Sequence, residues 1–250
     1  MIPVVSMTAT TGYLRDDKLR DYFCVIPARG GSKRIPKKNI QEVGGIPLIG
    51  HVIRNALDSK AFNRVYVSTD SEEIASLARE FGACVPELRE SNLSDDLTPT
   101  RPVIANFISK TPELQRESSV VACFYPFAAL VAQEIIRAAI QRFEALPDDS
   151  KYLVAIRKYP HPIQRSFSLT TEGKLFFNDP RMIESRTQDL QEHYHDAGQF
   201  YFALASTWAV NAPILQNSYG FELSRFSVVD IDEWEDLEEL RRIFDSKNLR

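Results

Sequence analysis

"CVIPARGGSKRIPKKN", residues 24–39, joins an apolar run to a loop that contains two adjacent glycines and five cations. The cations are Arg29, Lys33, Arg34, Lys37 and Lys38. An apolar run that changes so abruptly into a charged loop is typical of a buried parallel strand and the loop after it. In an open parallel sheet, ligands bind beyond the carboxyl ends of the strands. The stretch therefore predicts an α/β fold with a ligand site directly after its first strand.

The loop contains the donors that an anion needs. Backbone N–H groups at Gly30 and Gly31 can approach a phosphate closely, since no side chain intervenes. Ser32 adds a hydroxyl, and Arg29 and Lys33 add charged donors. Neither G-x-x-x-x-G-K-[ST] nor G-x-G-x-x-G is present, so a P-loop or a dinucleotide site is not predicted. A solvated basic turn is the alternative, but the preceding apolar strand and the paired glycines favour a phosphate site.

The rest of the chain alternates strand-like and helix-like segments. Strands are predicted at 21–27, 64–69, 83–88, 119–126 and 227–231, and helices at 47–60, 71–82, 98–110, 133–146 and 233–246. This rhythm indicates a Rossmann-like, doubly wound and mainly parallel sheet. Residues 151–205 differ, because they contain several strand-like runs and no strong helix. We expect a weakly structured extension at 1–20 and a single domain at 21–250, with 151–205 as an inserted β-rich subregion.

Composition excludes several functional classes. The chain has 250 residues and a net charge of −4, so bulk attraction to nucleic acid or to an anionic membrane is not expected. No apolar run is long enough to span a membrane, and the amino-terminal segment does not resemble a signal peptide. The three cysteines have no metal-type spacing and are expected to be reduced, buried thiols. A cytoplasmic protein is predicted.

Asp230 and Asp232 are the second candidate feature. In a strand, residues two apart project to the same side, so both carboxylates would face one ligand. Mg²⁺ commonly takes one or two carboxylates together with phosphate oxygens and water, which makes the pair a candidate Mg²⁺ site. Asp232 also fits a helix N-cap, and the two roles are compatible. Asp70 ends a predicted strand; a capping role is preferred for it, and its position at the carboxyl edge of the sheet leaves a role in the site as the alternative.

The motif "IPARGGSKRIPKKN" resembles the signature loop of the CMP-nonulosonate synthetases, the sialic-acid-type cytidylyltransferases. "LSDDLTPT", "HDAGQFY" and "VVDIDEWEDL" agree with that family, and "PIQRS" and "SRTQDL" resemble its pseudaminic acid branch. The resemblance covers about residues 22–245. It implies a fold of the nucleotide-diphospho-sugar transferase type, CTP and a nonulosonic acid as substrates, Mg²⁺ as cofactor, and a homodimer formed largely by the β-rich subregion.

The resemblance also implies roles for individual residues. The expected nucleotide-binding residues are Arg29, Gly30, Gly31, Ser32, Lys33, Asn39 and Arg89. For Arg89, a surface arginine is an equally good interpretation. The expected catalytic residues are Arg29, Lys33 and Asp232, and the expected metal ligands are Asp230 and Asp232.

The acid sugar is expected on the β-rich subregion, because arginine binds carboxylates and glutamine binds amides and hydroxyls. The candidates are Arg165, Arg186, Gln188 and Gln199. His195 and Asp196 are adjacent and suggest acid/base catalysis, but a structural role is preferred for His195.

The predicted reaction is Mg²⁺-dependent transfer of CMP from CTP to the anomeric hydroxyl of a nonulosonic acid, with release of pyrophosphate. Pseudaminic acid is the expected acceptor, and sialic or legionaminic acid is the alternative. The family often has Tyr-Pro-Thr-x-Pro where this chain has Tyr125-Pro126-Phe127-Ala128-Ala129-Leu130. That departure leaves a catalytically weakened nucleotide-binding paralogue as a second alternative.

Overall fold

The computed structural model describes residues 20–95 and 97–248, so the predicted extension at 1–20 lies almost wholly outside the described residues. The strands are β1 Asp21–Pro27, β2 Glu42–Val43, β3 Ile46–Pro47, β4 Arg64–Ser68, β5 Ser119–Phe124, β6 Leu153–Lys158, β7 Phe167–Leu169, β8 Leu175–Phe177, β9 Tyr194–Leu204 and β10 Tyr219–Glu222. The helices are α1 Leu48–Asp58, α2 Glu72–Glu80, α3 Thr100–Lys110, α4 Gln133–Glu144, α5 Ala205–Ala209 and α6 Trp234–Asn248.

Six strands form the central sheet in the order β10-β6-β9-β5-β1-β4. The β4, β1 and β5 strands are mutually parallel, β9 is antiparallel to both of its neighbours, and β10 is parallel to β6. Alternate residues of β1 enter separate apolar clusters. Cys24 and Ile26 pack with residues of α1, α2 and α4, whereas Phe23 and Val25 pack with residues of α3. Both faces of the sheet are therefore covered, and the predicted α/β fold with a mainly parallel sheet is confirmed.

Residues 151–205 are more closely joined to the sheet than the sequence suggests. Their first and last strands, β6 and β9, are hydrogen-bonded members of the central sheet. Only 159–193 lies outside it and carries the small β7–β8 hairpin; we call this segment the outlying region. The alternation of apolar residues identifies strands but does not specify their partners, so the sequence did not distinguish a separate subregion from two strands of the main sheet.

The carboxyl-terminal segment differs from its prediction. Residues 227–231 form no strand, and β10 occupies the edge of the sheet instead. Residues 227–231 pack inward and contribute to a third apolar cluster. This cluster contains Ile35 of the glycine-containing loop together with Val229, Ile231 and Leu237. This packing brings the acidic segment at 230–232 against the loop after β1. Among the described residues, no helix is long and apolar enough to cross a membrane.

Candidate active site

A cavity of about 260 Å³ opens beyond the carboxyl ends of β1 and β5. Six of the predicted site residues line it: Arg29, Ser32, Lys33, Asn39, Arg89 and Asp232. Further polar and aromatic residues complete the wall: Arg34, Lys38, Asp95, Thr98, Thr100, Tyr125 and Phe127. The loop after the first strand and the acidic segment near the carboxyl end thus border one cavity, although they are about 200 positions apart in the chain.

Asp70 holds the glycine-containing loop. Its Oδ1 accepts a hydrogen bond of 2.9 Å from the backbone N–H of Gly30. The helix cap predicted for Asp70 is instead made by Ser71, whose hydroxyl accepts from the N–H of Ile74 at the start of α2. A Cβ at Gly30 would lie 3.0 Å from the Ser71 side chain, whereas a Cβ at Gly31 would meet nothing within 4 Å. Gly30 is therefore required by packing, and Gly31 is not.

Arg89 is a buried cation. Its side chain is only 6% exposed, it donates from Nε to the Ser94 hydroxyl at 3.1 Å, and its Nη2 lies 3.9 Å from Asp70 Oδ1. Burial, as the largest cause, lowers the pKa of this guanidinium, and the charge of Asp70 opposes that shift. Arg89 is therefore not a surface arginine, which was the alternative interpretation of this residue. The structure places Arg89 in the cavity wall and fixes it there by hydrogen bonds.

Asn39 and Lys37 separate into different roles. Asn39 is buried and donates from Nδ2 to the backbone carbonyl of Arg29 at 2.9 Å, so it braces the loop from within. Lys37 adopts a positive φ of 54° and directs its ammonium to Glu73 on α2, at 2.7 Å. The Lys37 side chain is exposed and does not line the cavity, which identifies it as the solvated lysine of the loop.

Two cations of the loop contact the acidic segment directly. Arg34 Nη2 donates to Asp232 Oδ1 at 2.6 Å, and Lys38 Nζ donates to the backbone carbonyl of Ile231 at 2.6 Å. Partial burial, followed by the negative charge of Asp232, raises the pKa of the Asp230 carboxyl above its ordinary value. Arg34 and Lys38 thus join the first loop to the acidic segment, of which Asp232 lines the cavity and Asp230 does not.

The cap of α6 differs from the predicted one. Asp236 accepts from the backbone N–H groups of Asp232 and Glu233 at 2.9 and 2.8 Å. The Asp232 side chain is therefore not the capping group, and its carboxylate points toward Arg34 at the cavity.

The donor set of Asp230 and Asp232 fits a hard divalent cation. Partial burial and then the negative charge of Asp232 raise the pKa of the Asp230 carboxyl, and a cation held by both carboxylates would offset that repulsion. In residues 20–95 and 97–248, no group of three or more Asp, Glu, His or Cys side chains could hold a metal by itself. The pair therefore suits Mg²⁺ only where phosphate oxygens and water complete the coordination shell.

The predicted sugar residues are not brought to this cavity. Arg165, Arg186 and Gln188 are exposed on the outlying region, where Gln188 lines a separate cavity of about 290 Å³. Gln199 is 1% exposed and donates from Nε2 to the backbone carbonyl of Ala197 at 3.0 Å. Gln199 does not line the cavity, because β9 lies between β5 and β6 in the middle of the sheet.

His195 and Asp196 do not form a catalytic pair. Nδ1 of His195 lies 2.8 Å from the backbone carbonyl of Asp196, and the ring packs on Tyr159. The Asp196 carboxylate instead accepts from the Tyr201 hydroxyl at 2.5 Å and from the N–H of Gly198 at 2.9 Å. The structural role preferred for His195 agrees with these contacts.

Sequence reasoning missed or undervalued several wall residues. Lys38, Thr100, Tyr125 and Phe127 were not assigned to the nucleotide site. Burial raises the pKa of Tyr125 to about 12, so its hydroxyl remains a neutral donor. Their positions in the sequence could have indicated the site, because Tyr125 follows β5 directly and Thr100 begins α3 at the same edge of the sheet.

The sequence profile of a family described as Cytidylyltransferase matches residues 23–245, which is most of the chain. The chain belongs to the cytidylyltransferase family. It is accordingly a nucleotidyltransferase, and the resemblance found in the loop motif is confirmed.

Curated relatives agree with this assignment. The chain is 41% identical over 217 residues to a pseudaminic acid cytidylyltransferase from Campylobacter jejuni, covering 86% of this chain and 93% of the relative. It is 34% identical over 189 residues to N-acylneuraminate cytidylyltransferase A of Danio rerio, covering 74% of this chain and 42% of that protein.

Solved structures support the fold. CMP:2-keto-3-deoxy-manno-octonic acid synthetase in complex with CTP superposes with a TM-score of 0.66 at 16% identity, covering 91% of this chain and 99% of that one. A 4-diphosphocytidyl-2C-methyl-D-erythritol synthase from Anaerococcus prevotii superposes with a TM-score of 0.60 at 11% identity, covering 90% and 99%.

Proposed function

We propose that the protein transfers CMP from CTP to the anomeric hydroxyl of pseudaminic acid and releases pyrophosphate. The observation that carries the proposal is the shared cavity, in which the cations after β1 face the carboxylate of Asp232. The identity of 41% to a pseudaminic acid cytidylyltransferase supports this acceptor. The match to N-acylneuraminate cytidylyltransferase A is lower, at 34% identity.

The residues of the cavity suit a mechanism based on positioning and charge. The sugar hydroxyl gives up its proton to solvent and its oxygen attacks the α-phosphorus, the bond from that phosphorus to the bridging oxygen breaks, and pyrophosphate leaves with the bonding electrons. Arg29 and Lys33 bind the phosphate oxygens and stabilise the charge that develops on the leaving group. Ser32 and the N–H groups of the loop orient the triphosphate for in-line attack. No covalent intermediate with the protein is required.

Asp230 and Asp232 would hold the Mg²⁺ that accompanies the nucleotide. Bound there, the ion supplies positive charge at the phosphates and lowers the pKa of the attacking hydroxyl. Arg34 pairs with Asp232, with Nη2 2.6 Å from Oδ1. When the carboxylate is engaged elsewhere, the freed guanidinium becomes available to a phosphate oxygen.

We assign sugar recognition and dimer formation to the outlying region. Its hairpin exposes Phe167, Leu169, Leu175 and Phe176, each at least 50% accessible. Exposed apolar side chains clustered on one small hairpin suit a contact with a second copy of the chain. Such a contact would also order the exposed Arg165 and Arg186, whose guanidinium groups suit the sugar carboxylate.

The experiment is a panel of nonulosonic acids incubated with the protein, CTP and Mg²⁺. Pyrophosphate release and the CMP-sugar are both measured, the latter by mass spectrometry. We expect turnover with pseudaminic acid to exceed turnover with sialic and legionaminic acids. Faster turnover with another acid would replace the proposed acceptor and leave the cytidylyl transfer intact.

A catalytically weakened paralogue is the second candidate, and residues 127–130 favour it. Phe127 stands where the usual family motif has its threonine and lines the cavity, and Ala129 stands where the motif has its second proline and is buried in the third apolar cluster with Ile35, so the hydroxyl and that proline are both lost. Tight CTP binding without pyrophosphate release in the presence of any acid would support this alternative.

A further inference from the structure

Phe127 forms an aromatic platform in the cavity wall. Its ring stacks on that of Tyr125 with centroids 5.4 Å apart and planes inclined by 5°. The ammonium of Lys38 lies over the Phe127 ring, 4.7 Å from its centroid. That distance is within the range of a cation–π interaction, which strengthens where the cation is partly desolvated.

Lys38 is positioned by a small set of contacts. Its Nζ donates to the backbone carbonyl of Ile231 at 2.6 Å. Burial lowers the pKa of the ammonium, and the nearby charges of Asp232 and Asp230 oppose that shift. Lysine has a long, flexible side chain that loses much rotamer freedom when it is held in one place. The ring face therefore supplies a direct, non-covalent hold on a cation that also lines the nucleotide cavity.

We propose that Phe127 is a positioning residue, whose ring holds the Lys38 ammonium against the phosphates of the bound nucleotide. The inference rests on the proposed function, since it takes CTP as the ligand. It gives a role to the residue that departs from the usual family motif. In this proposal the aromatic side chain at position 127 orients the Lys38 ammonium, which the first loop provides.

A rival explanation is that the Phe127 ring touches the nucleotide itself. Both explanations predict weaker binding when the ring is removed, so a single substitution does not separate them. They differ when Lys38 is removed first. A ring that acts through Lys38 has nothing left to position, whereas a ring that contacts the nucleotide keeps its full effect.

The test is CTP affinity measured by titration calorimetry, with Mg²⁺ present and no sugar. The variants are Phe127→Leu, Phe127→Tyr, Lys38→Met and the double variant Phe127→Leu/Lys38→Met. Phe81→Leu is the matched control, because Phe81 is a half-buried ring 4.8 Å from the guanidinium of Arg54 and does not line the cavity.

We expect Phe127→Leu to weaken CTP binding about tenfold, while Phe127→Tyr, which keeps a ring face, changes it less than about twofold. In the Lys38→Met background, Phe127→Leu should change affinity less than about twofold. The Phe81→Leu control should bind CTP like the wild type. Wild-type affinity in Phe127→Leu, or a tenfold loss that persists without Lys38, would overturn the inference.

A second readout measures the contact in the wild-type protein and uses a variant only to assign the signal. In protein labelled with ¹³C-lysine, the ring current of Phe127 should shift the Lys38 Cε–H resonance upfield in the wild type. Lys38→Met identifies that resonance by removing it. An unshifted Lys38 resonance in the wild type would contradict the contact. Wild-type protein that binds no CTP would overturn the proposed function itself, whereas normal CTP binding with an unaffected Phe127→Leu variant would overturn the positioning role alone.

Discussion

The cavity beyond β1 and β5 and the outlying region at 159–193 are held in place in different ways. In the cavity, Asp70, Asn39 and Asp236 each fix backbone groups through hydrogen bonds; the Asp70 bond joins positions 40 apart in the chain, and the other two are local. In the outlying region, Arg165 has a long hydrogen bond of 3.4 Å to Thr187, and Arg181 pairs with its near neighbour Asp179. The contrast supports the proposed division between a preorganised nucleotide site and a sugar region completed by a partner or a ligand.

The largest effect is expected at the nucleotide site. Lys33→Ala should lower kcat/KM for CTP by roughly 10²- to 10³-fold, because a donor to the leaving phosphates is lost. Lys37→Ala is the matched control, since Lys37 belongs to the same loop but pairs with Glu73 away from the cavity. Steady-state rates at saturating sugar, with circular dichroism for the fold, check the prediction. Equal losses in the two variants would remove the distinction between cavity and surface lysines.

The outlying region should respond differently. Arg186→Ala should raise KM for the acid sugar by roughly tenfold, because a charged hydrogen bond is worth about 1.5–3 kcal/mol. The CTP affinity of the variant should match the wild type, because Arg186 is exposed and lies outside the nucleotide cavity. Initial rates with varied sugar, together with calorimetry for CTP, separate the two effects. A loss confined to CTP affinity would contradict the proposal that the outlying region binds the sugar and the cavity binds the nucleotide.

The two glycines of the loop sharpen the comparison within the cavity itself. Gly30→Ala should lower the free energy of unfolding by about 1–2 kcal/mol, because the added Cβ lies 3.0 Å from the Ser71 side chain. Gly31→Ala should leave stability within about 0.5 kcal/mol, since its Cβ would enter open space. Urea unfolding measures both variants. Equal losses in the free energy of unfolding would show that contact with Ser71 is not the reason that position 30 requires glycine.

The smallest effect concerns stability and pH. The folded-state pKa of Asp230 is raised, so the folded protein binds this proton more tightly than the unfolded chain does. Its favourable contribution is present at low pH and is lost as pH rises through the raised pKa. Asp230→Asn, which carries no charge, should therefore be slightly more stable than the wild type at neutral pH, with the difference shrinking in acid. Thermal unfolding at several pH values would contradict this if the variant were less stable at pH 7.

Local patterns specified much of the fold. The apolar run of β1 and the helical spacing of α1, α2 and α4 fall where the sequence predicts them, because each signal lies within its own element. The edge strand β10 was missed, since Tyr219–Glu222 is short, contains Gly220 and pairs with a strand about 65 residues earlier. Its place depends on tertiary contacts that no local pattern contains.

The same limit applies to the site. Arg29, Ser32 and Lys33 could be assigned from the loop motif, because the loop follows a strand whose end is a binding edge. Asp70 binds the N–H of Gly30 and Asp236 binds the N–H of Asp232. These roles could not be assigned from the sequence, because the N–H groups become available to the two carboxylates only in the folded chain. Gln199 had suitable chemistry for a sugar, but the central position of β9 buries it.

A structure of the protein with CTP and Mn²⁺, without the sugar, tests the central claim most directly, since the anomalous signal of Mn²⁺ locates the metal. The account predicts one triphosphate within hydrogen-bond distance of Ser32 and Lys33, with the metal between its phosphates and Asp230 and Asp232. Phosphates bound away from Lys33, or a metal remote from both aspartates, would contradict it.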